Sequence, residues 1–578
     1  MIDFYRAARN DLDNGPFATT EIVVRDVPMR VFAAAPPTLR TLWQMTAAHA
    51  DKTYIVYEDE RLTYSEVDAS VRALAHYLRT ECSVGSGDRV AIAMRNYPEW
   101  VIAYWATVSI GAAVVGMNAW WTSTEMEFGL GDSRPKVLIA DDERLERVLP
   151  VLDDLRAVAP LHLIAVRSDR PLPVDALKWE DVVVPSDAPA DLPAAEIDPD
   201  DDACIFYTSG TTGFPKGAQL THRGSIHNIL NIAYMTTVIA MTEAKAVAAG
   251  EIPAPTVAPA APNQAVLMAP TPLFHVTACN CLMHPATLAG GRVVLTRKWD
   301  PGRALELIER ERVTNFSGVP TMSRELLAHP DWATRDTSSL SGMSGGGAAV
   351  QRDLVDKIDK ALDNGAPGTG YGLTETHGIV TANSARLYLA KPDSAGPIVP
   401  TLDAKLVDDE GNDLPAGRDV VGQLCVRGST VIKGYLNRPE ATADAIRDGW
   451  FNTGDIARID EDGFVYIVDR AKDMVLRGGE NVYCSEVEAV IYQLDVVAEA
   501  AVFGIPDERL GEDVAAAIVL RPGSSLTEAE LCKFLAERIS SYKIPSKIWF
   551  LDEPLPRNAN GKFVKRELRT VLLDALKR

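Results

Sequence analysis

At 578 residues the chain is too long for one compact core, which points to two or more domains. Hydrophobic residues make up 47% and charged residues 24%, within the globular range, which excludes a disordered or fibrous chain. With 80 acidic against 58 basic side chains, the net charge of −22 argues against nucleic acid or an anionic membrane surface as a partner.

The 7 cysteines are scattered without a CxxC pair, as expected in a reducing, cytoplasmic setting. The polar start, MIDFYRAARNDLDNG, does not resemble a signal peptide. Thr63 and Glu66 have capping-box spacing ahead of an amphipathic run, Val67 to Leu78, and predict a helix there. From Val101 to Trp121 no residue is charged, a length that could span a membrane. Gly111, Gly116 and Asn118 interrupt it, however. A strand at Arg89–Met94, a helix opened by Pro98 and a strand at Ala113–Val115 account for it better, so no integral membrane segment is expected.

Short β-branched segments at Lys136–Ala140, Leu161–Val166, Ala265–Met268 and Arg292–Thr296 alternate with helical stretches, the rhythm of an α/β fold with mostly parallel sheets. Thr242–Pro262 is rich in alanine and proline without a period and reads as a mobile surface excursion. Closely spaced strands around Asp403–Val426 and Phe464–Val468 predict a β-rich subdomain. Beyond Arg470, strands (Glu499–Val502, Val514–Leu520) and helices (Cys484–Tyr492, Thr527–Ile539) predict a small α+β domain.

The segment YTSGTTGFPKG, Tyr207 to Gly217, follows an apolar strand and carries the strongest chemical signal. Its glycines let main-chain N–H groups approach an anion, its hydroxyls add donors and Lys216 adds charge, which suits a polyphosphate. It is not a Walker loop, because Pro215 and Gly217 stand where that motif needs glycine and a hydroxyl residue. Further along lie YGLTET (Tyr371–Thr376), FNTGD (Phe451–Asp455), DRAKDMVLRGGENVYCSEVE (Asp469–Glu488) and PRNANGK (Pro556–Lys562).

In this order and spacing the segments resemble the adenylate-forming superfamily, in its acyl-CoA synthetase branch. The resemblance implies a large AMP-binding domain (1–469), a hinge (470–472) and a small mobile domain (473–578). It implies ATP, Mg²⁺ and coenzyme A as reactants and cofactor, and a carboxylic acid as substrate. Ser209, Gly210, Thr211, Thr212, Gly213 and Lys216 would hold phosphates, with Thr208 and Glu375 at the metal and Thr374 at a phosphate oxygen. Gly346, Gly347, Ala348, Tyr371 and Gly372 would frame adenine; Asp455 and Arg470 would take the ribose. Lys562 would bridge carboxylate and α-phosphate; Lys472 would act as hinge, and Gly478, Gly479 and Glu480 would meet the incoming thiol after a domain rotation.

His275 would be the lid of the acyl pocket, near Asn228, Val276, Thr277 and Gly318. Val276 stands where amino-acid-activating relatives carry an aspartate, which turns the expectation to a fatty or other apolar acid. His275, Cys279, Cys281 and His284 lack the usual zinc spacing and read as a packed helix. Cys484 departs from the proline common in this branch. A carrier-protein or oxidative second step, and a non-catalytic acyl-nucleotide sensor on the same fold, stand as alternatives. The oligomeric state, a homo-oligomer included, cannot be read from the sequence.

Overall fold

The computed structural model describes residues 1–576 except 209–214, 254–263, 349, 364, 416, 418–419, 479 and 559–560. Its first large sheet orders Lys216–Thr221, Asp202–Thr208, Ala113–Gly116, Arg89–Ala93, Val137–Asp141, His162–Val166 and Leu177–Lys178, parallel except for the first pair. Strands covered on both faces must be apolar throughout, and Ala113–Gly116 and Val137–Asp141 are buried along their whole length. Every residue of helix Pro98–Ser109 is buried too. The uncharged stretch is therefore an interior strand–helix–strand unit, and no described helix is long and apolar enough to cross a membrane.

A second sheet orders Gly378–Ser384, Ala366–Leu373, Gly342–Gly346, Asn315–Gly318, Val266–Ala269, Arg292–Leu295, Thr53–Tyr57 and Glu60–Thr63. It is parallel except at its two edges. Antiparallel strands from Gly396 to Arg470 form the β-rich subdomain. The C-terminal sheet contains Val475–Arg477, Glu480–Val482, Val497–Asp507, Gly511–Leu520 and Lys547–Leu551, packed with helices Cys484–Ile491, Glu528–Ala536 and Lys565–Leu576. The fold is thus a large α/β body with a β-rich subdomain and a smaller α+β part.

The capping box at Thr63 and Glu66 is formed and opens helix Tyr64–Thr80. One expectation needs correction. Helix His222–Ala248 runs straight through the first third of the alanine-rich segment. Its alanines favour helix, Thr242 is buried and Lys245 pairs with Asp11 at 2.8 Å. Residues 254–262 of that segment lie outside the described residues.

Candidate functional site

The parallel strands Gly342–Gly346 and Ala366–Leu373 end at a cavity of 1180 Å³. Ligands of open α/β sheets bind beyond the C-terminal ends of the strands. The volume exceeds the roughly 300–1,000 Å³ usual for one small molecule, which leaves room for two.

Thr208, His275, Gly346, Gly347, Tyr371, Gly372, Thr374, Glu375, Asp455, Arg470, Lys472 and Lys562 all line this cavity. Asp455 and Arg470 are direct partners on neighbouring antiparallel strands, which brings their side chains to 3.4 Å. Tyr371 donates its hydroxyl to the other oxygen of Asp455 at 2.6 Å. Burial pushes the Asp455 carboxyl up from its usual value, and Arg470 and the Tyr371 hydroxyl pull against that shift. The result is a fixed acceptor at the cavity wall.

Glu375 sits on a short turn, Thr374–Thr376, and accepts the Tyr435 hydroxyl at 2.9 Å. Lys216 lies 5.1 Å above the Tyr435 ring. Thr208 and Lys216 pair across the hairpin that flanks the glycine-rich loop. Ser209, Gly210, Thr211, Thr212 and Gly213 fall outside the described residues. Glu375 and Thr208 offer one hard carboxylate and one hydroxyl, and no cluster of three or more metal-ligating side chains occurs among the described residues. That donor set fits Mg²⁺, which keeps water and phosphate oxygens and needs few protein ligands.

Lys562 arrives from the C-terminal part. Its turn is closed by Asn558, which accepts from Lys562 N at 3.0 Å and donates its own N–H to the Lys562 carbonyl at 2.9 Å. The side chain runs over Gly347 so closely that a Cβ there would lie 2.8 Å from Lys562 Cε. Gly347 also has a φ of +77°, a backbone conformation that favours glycine. Burial, and then Arg470, push the Lys562 ammonium down to about 8, against the pull of Asp455 and Glu375.

His275 caps a short helical turn, accepting from Thr277 N at 3.4 Å. Burial, helped by Lys562, lowers it to about 3, so the ring is neutral and acts as a wall. The helix that follows contains a π turn, Cys279–Met283. His284 there contacts the Tyr104 hydroxyl at 2.8 Å and Cys279 Sγ at 3.6 Å. An arm of the cavity is lined by Ile229, Ala233, Thr236, Ala240 and Glu243 on one face of helix His222–Ala248, and Ser344 and Gly368 of the sheet also line the cavity. From Ile229 to Ala240 this arm is about 16 Å long at 1.5 Å per residue.

Other expected residues lie elsewhere. Ala348 and Lys216 do not line the cavity. Asn228 is buried behind it, donating to Asn280 O and accepting from Ile379 N, and Gly318 packs on Met322. Gly478 and Glu480 flank the turn of a C-terminal hairpin away from the cavity; Gly479 is outside the described residues.

Two contributors escaped the sequence reading. Tyr435 orients Glu375 from 60 residues away. His377, in a left-handed conformation, accepts from Thr221 N at 2.8 Å and meets Thr430 O at 2.7 Å, tying the turn after Glu375 to two other segments. Its place directly after YGLTET was the available signal.

The AMP-binding enzyme family matches residues 42–436, and the AMP-binding enzyme C-terminal domain matches residues 486–562. The chain is 38% identical over 513 residues to a feruloyl-CoA synthase of Amycolatopsis sp, spanning 88% of this chain and 93% of that one. It is 32% identical over 553 residues to a long-chain-fatty-acid–CoA ligase of Bacillus subtilis (strain 168), spanning 92% and 94%. The fold superposes on an anthranilate CoA ligase in complex with anthranoyl-AMP with a TM-score of 0.79 and 27% identity, covering 94% of this chain and 98% of that one.

Proposed function

This chain belongs to the AMP-binding enzyme family of adenylate-forming ligases, and from that premise we propose that it is an acyl-CoA synthetase for an apolar carboxylic acid. In the first step a carboxylate oxygen bonds to the α-phosphorus of ATP and the bond to the bridging oxygen breaks. Acyl-adenylate and pyrophosphate result. In the second step the sulfur of coenzyme A bonds to the acyl carbon, AMP leaves and the thiol proton passes to solvent.

Attack on ATP brings anions together, so the protein must supply cations, donors and position. Lys562 bridges the carboxylate and the α-phosphate. Asp455 accepts from the ribose hydroxyls and Arg470 secures the same end of the nucleotide. Gly346, Gly347, Tyr371 and Gly372 frame the base, with Thr374 and the loop from Ser209 to Lys216 on the phosphates. Glu375 and Thr208 would hold Mg²⁺, which offsets phosphate charge when bound. The carrying observation is the meeting of Lys562 with Gly347, Asp455 and Glu375 in one cavity.

The helix-lined arm supports an apolar acid, because it presents Ile229, Ala233, Thr236 and Ala240, its carboxylate Glu243 accepts from Arg386 N at 3.1 Å, and Val276 rather than an acidic residue follows His275. Relatives named for ferulate and for long-chain fatty acids agree with an aromatic or aliphatic body. The two steps need different surroundings, so Lys562 withdraws by rotation at residues 470–472 and the Gly478–Glu480 turn takes its place. The test is pyrophosphate release with ATP, Mg²⁺ and a panel of aliphatic, aromatic and polycyclic acids, with and without coenzyme A. Release with no acid of the panel would sink the proposal.

A further inference from the structure

Lys562 enters the cavity from the C-terminal part, so contacts outside the cavity must hold that part in place. Lys357 pairs with Asp495 at 3.5 Å and Ser485 N donates to Asp469 at 3.4 Å, and a further group of contacts meets one helix of the large domain, Pro320–Ala328. Its Arg324 is clamped by two bonds of 2.7 Å to Asp353, and its guanidinium lies 5.0 Å from the centre of the Tyr492 ring. Tyr492 is fixed in turn by Ala500 N, which donates to its hydroxyl at 2.9 Å.

The next residue, Glu325, accepts from Trp299 Nε1 at 2.5 Å and faces Arg557 at 3.9 Å. Arg557 belongs to the lysine loop. It pairs with Glu499 and donates to the carbonyl of Gly561, the residue before Lys562, at 3.3 Å. Where the helix begins, Val319 would lie 3.0 Å from a Cβ at Gly561, so the loop descends onto the large domain with no side chain between.

We infer that Arg324 and Glu325 are positioning residues of the adenylation step: they seat Tyr492 and Arg557 and thereby set Lys562 over Gly347. The inference rests on the two-step reading above. A step that needs Lys562 withdrawn must break these contacts, so they serve the first step alone. Each is a partly exposed cation–ring contact or ion pair, of a kind that stabilises only weakly. That strength holds a posture without locking it.

Arg324→Met/Glu325→Gln tests the seat from the large domain and Tyr492→Leu from the other side; Lys357, 3.3 Å from Asp353, still partners that carboxylate. Acid-dependent pyrophosphate exchange is expected to fall about tenfold, since misplacing a catalytic group is costly. Consumption of pre-formed acyl-adenylate by coenzyme A should stay within about twofold of the unmodified protein. Equal loss in both steps, or loss in neither, overturns the inference. Trypsin, cutting after Arg470 and Lys472, reads the posture without chemistry: about threefold faster cleavage is expected in the variants, and unchanged cleavage overturns the seat. If the unmodified protein adenylates no acid while cleavage still responds, the functional reading falls and the seat stands.

Discussion

On one wall of the cavity Asp455 binds Arg470 on the neighbouring strand of the β-rich subdomain and Tyr371 from the second large sheet, so the acceptor is fixed before any ligand arrives. Facing them, Lys562 hangs from a turn closed by Asn558, and only its side chain reaches the large domain's glycines. In the proposed reaction the nucleotide must be held through both steps, whereas the lysine serves one. A rigid acceptor wall and a cation on a removable arm are what such a division of labour requires.

The sharpest way to break this contrast is Lys562→Ala. Acid-dependent pyrophosphate release should drop by about 100-fold or more, the scale of losing a charge-stabilising donor, while thioester formation from supplied adenylate persists. If both steps fail together, Lys562 is no removable arm. Asp455→Ala comes next. It strips the fixed wall, so the KM for ATP in the first step and that for supplied acyl-adenylate in the second should each rise by about an order of magnitude, and unfolding should come about 1–3 kcal/mol sooner because Tyr371 loses its acceptor.

The pH dependence sharpens the comparison further. Lys562 carries its charge below about 8, so adenylation should decline as the pH rises through that value, and Lys562→Arg should extend activity to higher pH. For stability the sign is opposite. The folded lysine sheds its proton near 8 and the unfolded one near its ordinary value of 10.5, so between these values the unfolded state binds more protons and stability rises with pH. Denaturant titrations at pH 8 and 10 should therefore show Lys562→Met losing its advantage over the parent. The smallest effect belongs to Cys484→Pro: position 484 opens its helix, where proline is tolerated, and only the Cys484 Sγ bond to Asp473 O at 3.0 Å is lost. The melting temperature should move by no more than a degree or two, as a weak thiol donor implies.

The wall and the arm differed in how they could be read. Periodicity and capping gave the α/β rhythm, the buried unit around Pro98–Ser109 and the helix opened by Thr63, because local sequence decides those features. The cavity's residues were legible as ordered motifs, yet what orients them was not. Tyr435 reaches Glu375, and His377 reaches Thr221 and Thr430, through contacts between distant segments that no window of sequence contains. The helix through Thr242–Ala248 was missed for a related reason. Its burial against the core and the Lys245–Asp11 pair outweighed an alanine–proline composition that looked like a loop.

Gly347 carries a last consequence. Because Lys562 Cε passes within 2.8 Å of where its Cβ would stand, the space above this residue is filled by the lysine, and the proposed rotation would vacate it. A single methyl group there would press on the far end of that side chain and strain the turn at its φ of +77°, displacing the arm while the bond between Asp455 and Tyr371 remains. Gly347→Ala is thus expected to favour the lysine-withdrawn posture at a cost in backbone strain, and so to enrich molecules on the thiol-accepting side.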